Sequence, residues 1–365
     1  MRFTARRFSR LPALLLAFTL VGAACGSGDD QAGGPTSADP TSVDGGSSFD
    51  ALSGKINGTG ASFPDAFYQT AIEEFASVAP DLTVNYNAVG SGQGKKDFAA
   101  NLNDFAGSDS LVKPDEGLDP SSFLYIPTVA APITVSYNLP KVDKLQLSGD
   151  TLAKIFQRQI KTWNDPAIAA DNPGADLPGT DIVVAHRADG SGTTNNFTKY
   201  LDKASEAWTL GSGDTVAWPA DTQAAQKNTG VAQIISSSEG AIGYVDLADA
   251  KATKLTFASI KNKSGNYVEP TLDATSSALA GAEISEDLSY NPLNADGTDA
   301  YPITAPTYIL VHTSYDDPTV AANVKAFVTY LLSDAQDLAE SVDFAKLPDE
   351  LRTRALAQLD KVQGA

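Results

Sequence analysis

Residues 181–204 read DIVVAHRADGSGTTNNFTKYLDKA. The opening run, DIVVA, predicts a strand, and the closing run, FTKYLDKA, predicts a helix. Between them stand His186, Arg187, Asp189 and a Gly-Ser-Gly-Thr-Thr run. Such a turn leaves backbone N–H groups bare at the positive end of a helix dipole. Glycine lets a ligand approach the backbone closely, and Arg187 adds a planar donor that can take two oxygens at once. The ligand this stretch suits is an anion.

Strand and helix patterns alternate outward from it. INGTGAS predicts a strand and turn, and PDAFYQTAIEEFASVAP a helix with Phe67, Ala71, Phe75 and Val78 on one stripe. LTVNYNAV predicts a strand, and GQGKKDFAANL a turn and short helix. FLYIPTVAAPITVSYNL is apolar and β-rich, with prolines that could mark a crossing. Ser148 or Asp150 is a candidate cap for TLAKIFQRQI. TGVAQIISSSEGAIGYVDLADA predicts helix, turn, strand and helix, YPITAPTYILVH a strand, and residues 318–362 are largely helical. Alternation of this kind makes an α/β fold.

Three further segments follow expected strands and are rich in Gly, Ser or Thr: GTGASFPDAFY (58–68), VGSGQGKK (89–96) and FAGSDS (105–110). Ligands of open α/β sheets sit beyond the carboxyl ends of the strands. Taken singly, Ser62, Ser91 or Thr193 suits an ordinary helix cap, and Asp109 a surface turn. Four such segments together, one with an arginine, make a site.

Several chemistries are excluded. A phosphate-cradling Walker loop needs glycine at Val89 and Ser or Thr at Lys96. A serine-hydrolase elbow around Ser191 needs glycine at Asp189. The two histidines, His186 and His312, belong to strand-like runs. With one cysteine they do not furnish a zinc site. Neither a metal nor a cofactor is expected, and the reading is of a binding protein, not an enzyme. A phosphatase or other phosphoryl-transfer enzyme using Ser191, or a receptor for a different oxyanion, is the competing reading.

The 365 residues suffice for about two domains. Residues 1–24 combine four arginines, an apolar run from Leu11 to Val21 and small residues before Cys25, the one cysteine. This is the pattern of a secretory signal ending at a lipoprotein cleavage site, with lipid expected on Cys25. Arg6-Arg7 hints at twin-arginine export. Residues 25–54 read as a flexible acidic tether. Removing four arginines and no acid takes the net charge from −19 to −23. So acidic a surface argues against nucleic acid and against polybasic attachment to lipid.

GTGASFPDAFY, the VGSGQG turn, GSD at 107–109, RADGSGTTNNF, SEGAIGYV at 238–245 and YPIT at 301–304 together resemble the phosphate-binding lipoproteins of ABC-type phosphate transporters, the PstS family. The resemblance runs from about Lys55 to Leu351. It implies a two-domain periplasmic-binding-protein type II fold with two crossing strands and the ligand in the interdomain cleft. Carried over, domain I is 55–130 plus 305–350, domain II is 131–304, and 351–365 is a helical tail. The crossings fall at residues 130–132 and 302–304. Phosphate is implied to touch Ser62, the Phe63 backbone, Ser91, Asp109, Arg187, Ser191, Gly192 and Thr193, with Asp189 orienting the arginine and His186 outside the contact shell. The implied partners are inorganic phosphate and the transmembrane permease subunits of an importer. The protein is expected to act as a monomer on the outer face of the cytoplasmic membrane.

Overall fold

The computed structural model describes residues 49–365. The signal segment, Cys25 and most of the tether lie outside the described residues. Among the described residues, Phe49 is already packed, ahead of Lys55. The Phe49 ring meets those of Phe75 and Tyr330 edge-on, and Asn323 donates to the Ser53 carbonyl.

In chain order, β1 (Gly54–Gly60) turns into α1 (Asp65–Val78). β2 (Leu82–Ala88) turns into α2 (Ser91–Ala99), and β3 (Phe105–Ser108) follows. The long β4 (Phe123–Tyr137) precedes β5 (Gln146–Leu147), α3 (Gly149–Phe156) and α4 (Pro166–Asp171). Then come β6 (Val183–Arg187), α5 (Gly192–Ala204), β7 (Gln223–Ala225), α6 (Lys227–Ser237), β8 (Ala241–Asp246) and α7 (Leu247–Ala252). Short strands β9 (Thr256–Phe257), β10 (Ser259–Lys261) and β11 (Tyr267–Val268) lead to α8 (Leu272–Ala280). β12 (Thr304–His312), β13 (Ser314–Tyr315), α9 (Pro318–Leu332), α10 (Asp349–Gln358) and β14 (Gln363–Gly364) complete the chain.

The main sheet runs β2-β1-β3-β12-β4-β8-β6-β7, with β9 also beside β4. β1 pairs in parallel with β2 and β3, and β6 with β7 and β8. Between these parallel groups lies the antiparallel β12–β4 pair. β4 is one unbroken strand that changes neighbour: residues 123–132 pair with β12 and residues 133–137 with β8. Its near-continuous burial explains an apolar run without alternation. Pro132 faces Thr304 where the partner changes, a place where a missing N–H costs least. A register shift between Thr307 and Tyr308 marks a bulge, the usual device for re-aiming a strand side chain.

α1 buries Phe67, Tyr68, Ala71 and Phe75, but Val78 is exposed. The helix stops there, and Ala79 takes the inward place. Ser148 is the cap of α3, its hydroxyl accepting from Thr151 N. The chain end is not wholly helical, since β14 adds beside β13. Behind β6 and β8, Val231 and Ile235 of α6 pack on Ala185 and Val245 as a separate small core. At roughly 1.5–3 kcal/mol per fully buried large aliphatic side chain, such contacts hold α6 and its first turn firmly against the sheet. Among the described residues, no helix is long and apolar enough to cross a membrane.

Candidate functional site

Four helix starts converge at the carboxyl ends of the parallel strands. The 61–64 turn follows β1, Ser91 opens α2, Ser191 caps α5, and Lys227 opens α6. Their contacts are direct. Gly92 N donates to Gly190 O at 2.9 Å, Gly192 N to Ser91 Oγ at 3.2 Å, and Asn228 N to Ser62 Oγ at 3.3 Å. Each helix of this length presents about half a positive charge at its start, so an anion placed there is stabilised without a basic surface.

The sequence-derived residues come together. Ser62, Phe63, Ser91, Asp109, Arg187, Ser191 and Thr193 are all buried, and Gly192 lies in the same layer. Asp109 follows β3, and its backbone N–H donates to Ser91 Oγ at 3.2 Å. A Cβ on Gly192 would stand 2.6 Å from Asp109 Cβ and 2.6 Å from Ser91 Oγ, so only glycine lets these two loops meet. Gly90 sits in the left-handed region at φ 95°, and a Cβ there would stand 2.4 Å from Asp189 Oδ2. Ser191 Oγ accepts from Thr194 N at 3.1 Å as the cap of α5. Phe63 fixes its turn by packing edge-on to Phe344.

Arg187 ends β6 and is 4% exposed. Asp189 takes it bidentately: Nε donates to Oδ1 at 2.8 Å and Nη2 to Oδ2 at 2.5 Å. Nη1 donates to Asn228 Oδ1 at 3.0 Å and to Thr193 Oγ1 at 3.4 Å. A buried guanidinium needs such partners, because an unpaired charge in the interior is costly. Asp189 therefore aims the arginine.

Residues 34–335 match a PBP superfamily domain. The chain is 38% identical over 312 residues to the phosphate-binding protein PstS of Pasteurella multocida, covering 83% of this chain and 89% of that protein. It is 35% identical over 365 residues to the phosphate-binding protein PstS 3 of Mycobacterium tuberculosis, covering 95% and 96%. This chain belongs to the PstS family. Its fold is similar to that of a periplasmic phosphate-binding protein, PfluDING, solved with phosphate (TM-score 0.69, 23% identity, 83% and 93% covered). It also matches a phosphate-binding protein from Stenotrophomonas maltophilia (TM-score 0.63, 22% identity, 84% and 94% covered).

In this PstS family member Asp109 is the unusual acid of the site. Burial pushes the Asp109 carboxyl from 3.8 up to about 7, against the pull of the Thr307 hydroxyl, Arg187 and Ser91, while Asp214 raises it further. Thr307 Oγ1 donates to Asp109 Oδ1 at 2.7 Å, and Ser91 Oγ lies 3.4 Å from Oδ2. Asn196 Nδ2 holds the Asp109 carbonyl at 2.6 Å.

His186 lies outside this cluster. Its ring contacts Arg187 O at 3.0 Å and Thr222 Oγ1 at 2.9 Å, and stacks on Trp218. His312 stacks on Phe98 at 3.8 Å. Burial pulls both imidazoles below their usual value.

Sequence reasoning missed Asn228, Thr307 and Asn196, and it missed an ion pair behind the site. Lys95 Nζ is wholly buried, 2.9 Å from Asp214 Oδ2 and 2.8 Å from Glu116 Oε1. Asp214 O in turn accepts from Ser191 N at 2.9 Å. QKNTG offers the sole local hint for Asn228, a polar residue at a helix start. Nothing near Thr307 or Asp214 marks them. A separate cavity of about 630 Å³, lined by Leu118, Phe123, Tyr125, Lys113 and Asp287 among others, holds none of these residues.

Proposed function

We propose that this protein binds inorganic phosphate outside the cytoplasm and delivers it to the permease subunits of an ABC importer. The observation that carries this is Arg187, buried and held by Asp189, facing hydroxyls and helix starts with one proton-accepting carboxylate, Asp109, among them. Ser62, the Phe63 backbone, Ser91, Ser191, Gly192 and Thr193 are the remaining contacts in this reading. The names of the PstS relatives support it.

Charge-assisted hydrogen bonds contribute roughly 1.5–3 kcal/mol each, and micromolar affinity needs about −8 kcal/mol. A handful of well-aimed donors therefore suffices. Phosphate can donate a proton to Asp109, but sulfate at neutral pH has none to give. A site built to pair a ligand hydrogen rejects an analogue lacking it by about 10⁴ or more. Asp109 thus reads as the selectivity residue.

Domain I comprises 55–130 plus 305–350 and domain II 131–304, with 351–365 as a tail. The change of neighbours along β4 supports that division. Lipid on Cys25 would hold the protein at the membrane, and it acts as a monomer. Titration calorimetry with phosphate and then sulfate at pH 7 tests the function. One-to-one phosphate binding with sulfate silent supports it. Equal heats from both would leave a general oxyanion receptor.

A further inference from the structure

We propose that Asn228 sets the donor direction of the anion site. Its polar groups occupy Arg187, Thr193 and Ser62, and so turn two hydroxyl protons toward the bound oxyanion. The inference rests on the phosphate reading above.

A hydroxyl has one proton to give and two lone pairs to fill. Thr193 Oγ1 accepts from Asn228 Nδ2 at 3.2 Å and from Arg187 Nη1 at 3.4 Å. Both lone pairs are then engaged, and its proton is left for an acceptor in the cleft. Ser62 Oγ accepts from Asn228 N at 3.3 Å, which favours donation outward in the same way. Asn228 Oδ1 takes Arg187 Nη1 at 3.0 Å, while Asp189 takes Nε and one N–H of Nη2. The second N–H of Nη2 stays available for an oxyanion.

The amide can do this in one orientation only. Flipped, its NH₂ would face a guanidinium donor, and Thr193 would lose a donor. Asn228 is wholly buried, and α6 is packed on the sheet. Lys227, before it, adopts the left-handed φ of 62° and donates its N–H to Asp189 Oδ1 at 3.2 Å. The α6 start therefore grips both Arg187 and its orienting acid. Because Ser62 precedes α1 and Thr193 lies in α5, Asn228 links the donors of two separate strand-to-helix turns. Asn228 is a positioning residue.

An aspartate at 228 keeps the shape and reverses the polarity. It would draw the Thr193 proton to itself and place a second carboxylate on Arg187. The test measures phosphate dissociation constants on the full chain for wild type, N228D, N228A, T193V and T193V/N228D, with thermal unfolding in phosphate-free buffer. We expect N228D to weaken binding about 100-fold and N228A about 10-fold, the scale of charge-assisted hydrogen bonds. In the T193V background N228D should cost at least about fivefold less than in wild type, since coupled residues are not additive. Equal losses in N228D and N228A, or losses that simply multiply in the double variant, overturn the inference. If N228D does not fold, T193V/N228A closes the cycle instead, and losses that simply multiply there overturn the inference. A wild type that binds no phosphate instead overturns the underlying reading.

Discussion

Thr307 Oγ1 donates to Asp109 Oδ1 at 2.7 Å, across 198 residues of sequence. The bond ties β12 to the end of β3, and the donor lies opposite the bulge in β4, where Thr128 is the extra residue. It stabilises the charged form of an acid that burial would otherwise keep protonated. Asp109 is thereby poised near neutrality, and in the proposed reading it would be ionised when phosphate arrives and accept a hydrogen bond from it.

Selectivity should follow the charge of Asp109. Below about pH 7 the carboxyl holds a proton and can donate to sulfate; above it, the carboxylate repels sulfate. Competition titrations should show discrimination against sulfate sharpening between about pH 5.5 and 8.5. Asp109→Asn should admit sulfate and flatten that profile. An unchanged ratio in the variant would rule out the proton-acceptor role.

The same group affects stability. Its folded-state value lies above the ordinary 3.8, so ionising it in the fold is unfavourable. The cost is absent below about pH 4, grows through the window between, and is complete above about pH 7. In phosphate-free buffer, Asp109→Asn should therefore be more stable than wild type at pH 8 and no more stable at pH 4. Denaturant melts at the two pH values check this. The opposite order would contradict the burial argument.

Arg187→Lys should not be conservative. A lysine has no planar fork for Asp189, and the half-buried carboxylate would lose one of its two bonds. Phosphate affinity should fall at least about 100-fold, the equivalent of roughly 3 kcal/mol. Calorimetry giving a loss under tenfold would mean that Asp189 does not aim the donor.

Lys95 and Asp214 form a buried pair behind the site, one on α2 and one in the segment after α5. Removing one member of a buried pair typically costs about 3–5 kcal/mol. Asp214→Asn should speed phosphate release in stopped-flow traces with little change in association. Lys95→Met should also lower stability, because Glu116 loses its partner. Release at the wild-type rate in Asp214→Asn would argue that the pair plays no part in holding the anion.

Gly192→Ala should disturb the meeting of the two loops. The added methyl would strike Asp109 and Ser91, both buried against it. Phosphate binding should weaken about tenfold or more, the scale of one lost charge-assisted hydrogen bond. Calorimetry giving an unchanged affinity would mean that the close approach of these loops plays no part in holding the anion.

Family, fold class and the anion-binding character were legible in the sequence because their signals are local. Glycine and hydroxyls at a strand-to-helix turn fix a helix start, and RADGSGT carries both the arginine and the acid two residues away that aims it. The run around Pro132 betrayed a crossing strand because burial on both faces leaves no alternation to read. Partnership between distant segments was not legible. Asn228 reaches Ser62 across 166 residues and Thr307 reaches Asp109 across 198, and each is an ordinary polar residue until the chain folds. The proton affinity of Asp109 was likewise decided by the tertiary structure. A Gly-Ser-Asp-Ser turn in water would keep an ordinary carboxyl, and only burial among β3, α5 and β12 changes it. Short-range backbone preference writes itself into neighbouring residues, whereas desolvation and long-range hydrogen bonds exist only once the strands have brought those residues together.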